Sequence, residues 1–100
     1  MELTVSSSED RITATIKGRL DTVSSSQFAQ EMMPLMEAAD KHIFIDCREL
    51  EYVASSGLRQ LMLLRKQTIA MGGDITLQNV CKDVMQVLII AGFAPLFLFE

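Results

Sequence analysis

The stretch Tyr52-Val53-Ala54-Ser55-Ser56-Gly57-Leu58 constrains this chain most. Ile43-Phe44-Ile45-Asp46 lies just before it and reads as a buried strand, because its first three residues are apolar and of the β-branched or aromatic types that strands favour. An apolar pattern at helical spacing runs from Leu58 to Met71 just after it. Two hydroxyls therefore sit where a strand turns into a helix. Serine is a favoured helix N-cap because its oxygen can accept a bond from a free N–H of the first turn. The same free N–H groups and the helix dipole also favour an added phosphate. The corner reads either as a plain cap or as a modification site.

The flanking pattern extends this unit into an α/β domain. Leu3-Thr4-Val5 and Ile12 to Ile16 alternate and read as two strands, joined through the polar Ser7-Ser8-Glu9-Asp10 as a hairpin. Gly18-Arg19-Leu20-Asp21-Thr22 is expected to leave the sheet. Ser24 with Gln27 suggests a capping box, and Phe28, Met32, Leu35, Met36 and Ala39 follow at helical spacing. Pro34 should kink or break that helix, since it removes a backbone donor. A second helix is expected over Ser55–Met71, with Gly72-Gly73 as its stop. Ile75-Thr76-Leu77 reads as a strand, Lys82–Ala91 as a third helix closed by Gly92, and Leu96 to Phe99 as a last strand. The expected order is β-β-α-β-α-β-α-β. It makes a four- to five-stranded mixed sheet with three helices, in one domain spanning 1–100. Right-handed crossovers then make the later strands parallel, with helices covering a face.

Composition narrows the function classes. A net charge of -4 argues against a nucleic-acid partner, which needs a basic face. Cys47 and Cys81 are too few for a secreted disulfide scaffold and read as free thiols in a reducing cytoplasm. No basic region precedes an apolar run at the start, and no apolar stretch approaches the roughly 20 residues of a membrane span. A cytoplasmic location without membrane attachment is the expectation.

Catalytic chemistry finds little support. His42 is the only histidine and opens a strand, without the partners of a triad. No metal-ligand spacing occurs, and Gly72-Gly73 lacks the other residues of a phosphate loop. The chain reads as a non-enzyme that carries no cofactor.

The second helix hints at docking instead. Leu61, Met62, Leu63 and Leu64 are consecutive, so one helix cannot bury all four. At about 100° per residue, Leu61, Leu64, Thr68 and Met71 share a stripe with Leu58 at its edge. Leu63 points away and Met62 lies at the margin. Arg59 opposes the helix dipole in the first turn, where a stability-optimised sequence would prefer an acid. It could pair with a phosphate.

The chain resembles the STAS domains of the anti-sigma factor antagonist family over essentially its whole length. The carrying pieces are Gly18-Arg19-Leu20-Asp21, Ile45-Asp46, the corner from Tyr52 to Leu58, Gly72-Gly73-Asp74-Ile75-Thr76-Leu77, and Ala91-Gly92-Phe93. The resemblance implies a partner-switching protein. It would bind an anti-sigma factor that is also a serine kinase of the histidine-kinase-like ATPase fold, and release it once phosphorylated. A metal-dependent serine phosphatase would reset the switch. ATP and the divalent metal would belong to the kinase. The implied phosphoacceptor is Ser55, with Ser56 as the alternative and the expected cap. Asp21, Thr22, Ser56, Gly57, Leu58 and Arg59 would lie at the partner surface, with Met62 and Leu63 added by the helix geometry. Many family members carry Asp before the acceptor serine, whereas this chain has Ala54. Other STAS proteins are unphosphorylated subunits of transport complexes such as ATP-binding-cassette lipid transporters, which is the alternative function.

Overall fold

A computed structural model describes residues Met1–Glu100. Five strands form one sheet: β1 (Glu2–Ser7), β2 (Arg11–Leu20), β3 (His42–Val53), β4 (Asp74–Gln78) and β5 (Leu98–Phe99), side by side in that order. β1 and β2 are the expected hairpin. They pair antiparallel, with Leu3 opposite Ile16 and Val5 opposite Ala14. The remaining pairs are parallel.

Four helices connect these strands. The first expected helix is two, α1 (Ser25–Glu31) and α2 (Met33–Glu37), which meet at Met32 just before Pro34. Pro34 lies in the first turn of α2, where its missing N–H costs nothing. α3 spans Ser55–Met71, the expected bounds, and α4 spans Lys82–Ile90. A 3-10 turn over Ala94–Leu96 takes part of the segment expected as the last strand, leaving only Leu98–Phe99 in the sheet.

The central strands are longer than their apolar cores. β2 continues through Gly18 to Leu20 instead of leaving the sheet at Gly18. Its pairing with β3 shifts register between Thr15 and Lys17 and again between Gly18 and Arg19. Gly18 takes φ +90, a conformation that L side chains rarely adopt. These irregularities break the alternation that marks a strand in sequence, yet they return Leu50, Val53 and Leu20 to the buried side.

Sequential strand order has a strict consequence. Each crossover steps one strand further in the same direction, so right-handed connections put all the helices on one face. Ile12, Ala14 and Ile16 of β2, Ile43, Ile45 and Cys47 of β3, and Ile75 and Leu77 of β4 point to that face. They meet Phe28, Leu35, Leu58, Leu61, Leu64, Val84 and Leu88 from the helices in one continuous core. The opposite face carries Thr13, Phe44 and Thr76 in one cross-strand row and Thr15, Asp46 and Gln78 in the next. Parallel sheets are usually covered on both faces. Here no second layer covers the face: the first row continues from Thr76 to the exposed Leu98, the second is polar, and the Arg11 guanidinium lies 3.8 Å from the centre of the Phe44 ring.

Candidate functional site

Two loops meet at the carboxyl ends of β2 and β3. The Ala54 N–H donates to the Leu20 carbonyl at 2.8 Å, which ties the corner before α3 to the turn after β2. Gly57 seats the helix on that turn. A Cβ there would come within 2.5 Å of Leu20 Cγ, so a larger residue would lift α3 off β2. Asp21–Thr22 and Ser55–Arg59, separated by more than thirty positions, are thereby brought to one edge of the molecule.

The β2–α1 turn is built by Asp21 and Ser24. The Ser24 N–H donates to Asp21 Oδ1 at 3.0 Å, and the Asp21 N–H donates back to Ser24 Oγ at 3.0 Å. The Ser24 hydroxyl donates to the Arg19 carbonyl at 2.8 Å. Ser24 is therefore not the head of a capping box. It makes no side-chain cap bond to α1, and Gln27 reaches the Met1 carbonyl instead of turning back. The hydroxyl is spent on locking the loop. The backbone N–H of Ser24 holds the Asp21 carboxyl below the usual carboxylate range, with help from the Ser24 hydroxyl. Thr22 is exposed beside it.

Arg19 extends the same edge. Its guanidinium lies 3.8 Å from Asp21 Oδ2 and 4.3 Å from the centre of the Tyr52 ring. Arg19, Tyr52 and Val53 line a concavity of about 150 Å³ together with Asp83, Val84 and Val87 of α4. Arg19 stood in the Gly-Arg-Leu-Asp piece without an expected role. Its pairing with Tyr52 could not be read from spacing, because the register shift in β2–β3 sets it opposite Tyr52.

At the α3 start the structure corrects the cap assignment. The N-cap position is Ala54, extended at φ -97 and ψ 170, and no side chain caps the helix. Its first turn contains no acidic residue. Ser55 is the first helical residue and is exposed. Ser56 is not the cap: its Oγ is buried and has no hydrogen-bond partner. One step along the helix turns the hydroxyl from solvent toward the sheet, because successive residues point about 100° apart. Gly57 and Leu58, expected at a partner surface, also face inward, with Leu58 3% exposed. They shape the corner and do not present side chains.

Farther along α3 the helical stripe holds for most positions. Leu61, Leu64 and Thr68 are buried, while Leu63 is 46% exposed and Met62 half-buried. Met71 departs from it, being exposed in the last turn, where the Gln67 amide contacts its sulfur. Arg59, Met62, Leu63, Arg65 and Lys66 surround a shallow concavity of about 330 Å³. Arg65 Nε donates to the Leu96 carbonyl at 2.7 Å, which fixes one wall. No three His, Cys, Asp or Glu side chains gather as metal ligands would. No helix is long and apolar enough to cross a membrane.

Comparison with known proteins places the fold in a family. Residues 3–98 match the family model described as Mlab, STAS domain. The chain is 26% identical over 97 residues to the "Putative anti-sigma factor antagonist BtrV" of Bordetella bronchiseptica; the match covers 97% of this chain and 84% of that protein. Its fold superposes on a protein of Thermotoga maritima described as a "putative anti-sigma factor antagonist" with a TM-score of 0.85 at 17% identity, covering 97% of this chain and 84% of that one. It superposes on the phosphorylated form of the Bacillus cell fate determinant SpoIIAA at TM-score 0.73 and 16% identity, covering 99% and 91% of the two chains. The matched span takes in all four helices, β2 to β4, most of β1 and both loops of the site, and on that match the chain belongs to the STAS domain family.

Proposed function

We propose that this domain is an anti-sigma factor antagonist that switches partners according to the phosphorylation of Ser55. The observation that carries this reading is the exposed Ser55 hydroxyl at the first position of a helix with neither side-chain cap nor acid in its first turn. A phosphate there, with a charge of about -1.5 to -2, would meet free N–H groups and the positive end of the helix dipole. The domain can accept it without unfolding. Ser56, with its oxygen buried, is the poorer acceptor.

The proposed partner is an anti-sigma factor that is also a serine kinase of the histidine-kinase-like ATPase fold. It brings its own ATP and divalent metal, and a metal-dependent serine phosphatase resets the site. The domain itself catalyses nothing and works in the cytoplasm, without nucleic acid or membrane. Asp21, Thr22, Ser55 and Arg59 form the contact edge, and Met62 and Leu63 extend it along α3. Release needs only a modest difference in binding, since about 1.4 kcal/mol is tenfold in affinity.

The test is intact-protein mass spectrometry after incubation with ATP and a candidate kinase from the same cell, followed by phosphopeptide mapping. Phosphate should appear on Ser55. Ser55→Ala should bind the kinase constitutively, and Ser55→Asp should bind poorly. Phosphate on Ser56 would move the site by one residue.

A second reading has one specific support. The matching family model is described as Mlab and not as an antagonist. Ala54, in place of the Asp common before the acceptor, agrees with an unphosphorylated role. In that reading the domain is a subunit of a transport complex such as an ATP-binding-cassette lipid transporter. Absence of phosphate under every cognate kinase, with partner binding unchanged in Ser55→Asp, would establish it over the switch.

A further inference from the structure

The charged residues of α3 are all basic, in an acidic chain. The net charge is -4, yet α3 contains Arg59, Arg65 and Lys66 and no acidic residue. The ion pairs of the molecule, Lys17–Glu49, Arg19–Asp21 and His42–Asp74, all lie elsewhere. Arg59 has Ser55 and Leu63 four positions away on either side, and Lys66 has Met62 and Ala70, so neither has an acid at pairing distance along the helix. At about 100° per residue, Ser55, Arg59, Met62 and Lys66 fall on one line, with Leu63 beside it. Arg65, held by the Leu96 carbonyl, closes the shallow concavity between them.

The geometry points to a partner surface that is acidic and inserts one apolar side chain between Met62 and Leu63. This inference rests on the partner-switch reading and names the chemistry of that partner. The apolar floor supplies burial, while the unpaired cations supply steering and register. Ser55 terminates this line of cations, four positions before Arg59. A phosphate on Ser55 would sit at i to Arg59 at i+4, where it draws the guanidinium into an intrahelical pair and repels an acidic surface. Phosphorylation would thus both withdraw a cation from the interface and add anionic charge beside it.

The experiment titrates the isotope-labelled, unphosphorylated full chain with two synthetic amphipathic helices of about 18 residues, five turns. One pairs Leu with Glu and the other Leu with Lys. Amide shifts confined to Ser55–Ala70 are expected with the Leu/Glu peptide alone. They should weaken strongly at 1 M salt, where the screening length is about 3 Å. The double variant Arg59→Glu/Lys66→Glu should bind that peptide about tenfold more weakly, equal to about 1.4 kcal/mol. Its unchanged spectrum outside α3 would establish that it folds. Equal binding of both peptides, shifts on another face, or no shifts would overturn the inference. Uptake of the domain by phosphatidylglycerol vesicles through the same residues, with the Leu/Glu peptide inert, would overturn it in favour of a lipid surface. No kinase enters this measurement. Failure here alongside phosphate on Ser55 would refute only the acidic partner, and success without phosphate would refute only the switch.

Discussion

At the scale of single residues, burial separates neighbours that look alike in sequence. Ser55 and Ser56 are adjacent hydroxyls, yet only Ser56 leaves a buried oxygen without a partner. Ser56→Ala should therefore not cost the stability of a lost cap. Removing an unsatisfied buried group should leave stability unchanged or raise it by about 1 kcal/mol, read by urea denaturation. Asp21 carries a different signature. Its folded pKa lies below the unfolded value, so its stabilisation is complete above the ordinary carboxylate pKa of about 3.9 and is lost as pH falls through the folded value. Asp21→Asn should flatten the acid limb of a plot of Tm against pH. Asp46, lowered by the Arg48 N–H and the Asn79 amide, should keep part of that limb. Burial pushes the Cys47 thiol up to about 12, and the Asp46 charge adds to it. In the folded protein Cys47 should resist iodoacetamide at pH 8 and react once the chain is unfolded, as mass spectrometry would show.

At the scale of elements, α3 carries both the core and the candidate surface, and its two sides should answer differently to mutation. Leu64 is fully buried, so Leu64→Ala should cost about 2–5 kcal/mol. Leu63→Glu should leave the melting temperature nearly unchanged while weakening partner binding, because nearly half of Leu63 already faces solvent. At the head of the helix, Ser55→Asp should stabilise the fold by about 0.3–1 kcal/mol while it weakens binding, because the first turn has no acid to meet the dipole. Two glycines limit how the helix may be changed at its ends. Gly57 leaves room for Leu20, and a Cβ on Gly73 would meet the Ala39 and Lys41 carbonyl oxygens at 2.2 and 2.4 Å. Gly73 is thus more than a helix stop. It lets the end of α3 pass close to the segment before β3.

At the scale of the whole molecule, one-sided layering sets where stability resides. All the helices press on the same face of β2, β3 and β4, so the amides of Ile43 and Ile45 should exchange only through global unfolding. The two-residue β5 at the sheet edge should exchange far sooner, a contrast that hydrogen exchange measured residue by residue would display. The open face mixes threonines with Phe44 and the exposed Leu98, and Arg11 covers the Phe44 ring. At the edge formed by the Asp21 loop and α3, charge and exposed apolar groups also coincide, with Arg19 and Asp21 in the loop and Arg59, Lys66 and Leu63 along the helix.

Periodicity and turn chemistry determined most of the fold. The stripe of Leu61, Leu64 and Thr68 placed α3, Pro34 divided the first helix, and the apolar runs of Ile12–Ile16 and Ile43–Asp46 placed the central strands. These signals are local, so the sequence carries them without knowledge of neighbours. Tertiary structure decided the rest. The extension of β2 and β3 past their apolar cores depends on cross-strand register shifts, which scramble alternation in either strand read alone. The cap went to Ala54 because the bond from its N–H to Leu20 and the packing of Gly57 on Leu20 fix where the helix begins, and these override the preference of serine for that position. The meeting of Arg19 with Tyr52, and of the Asp21 loop with Ser55, likewise comes from strand pairing across more than thirty residues, a distance over which spacing along the chain contains no geometry.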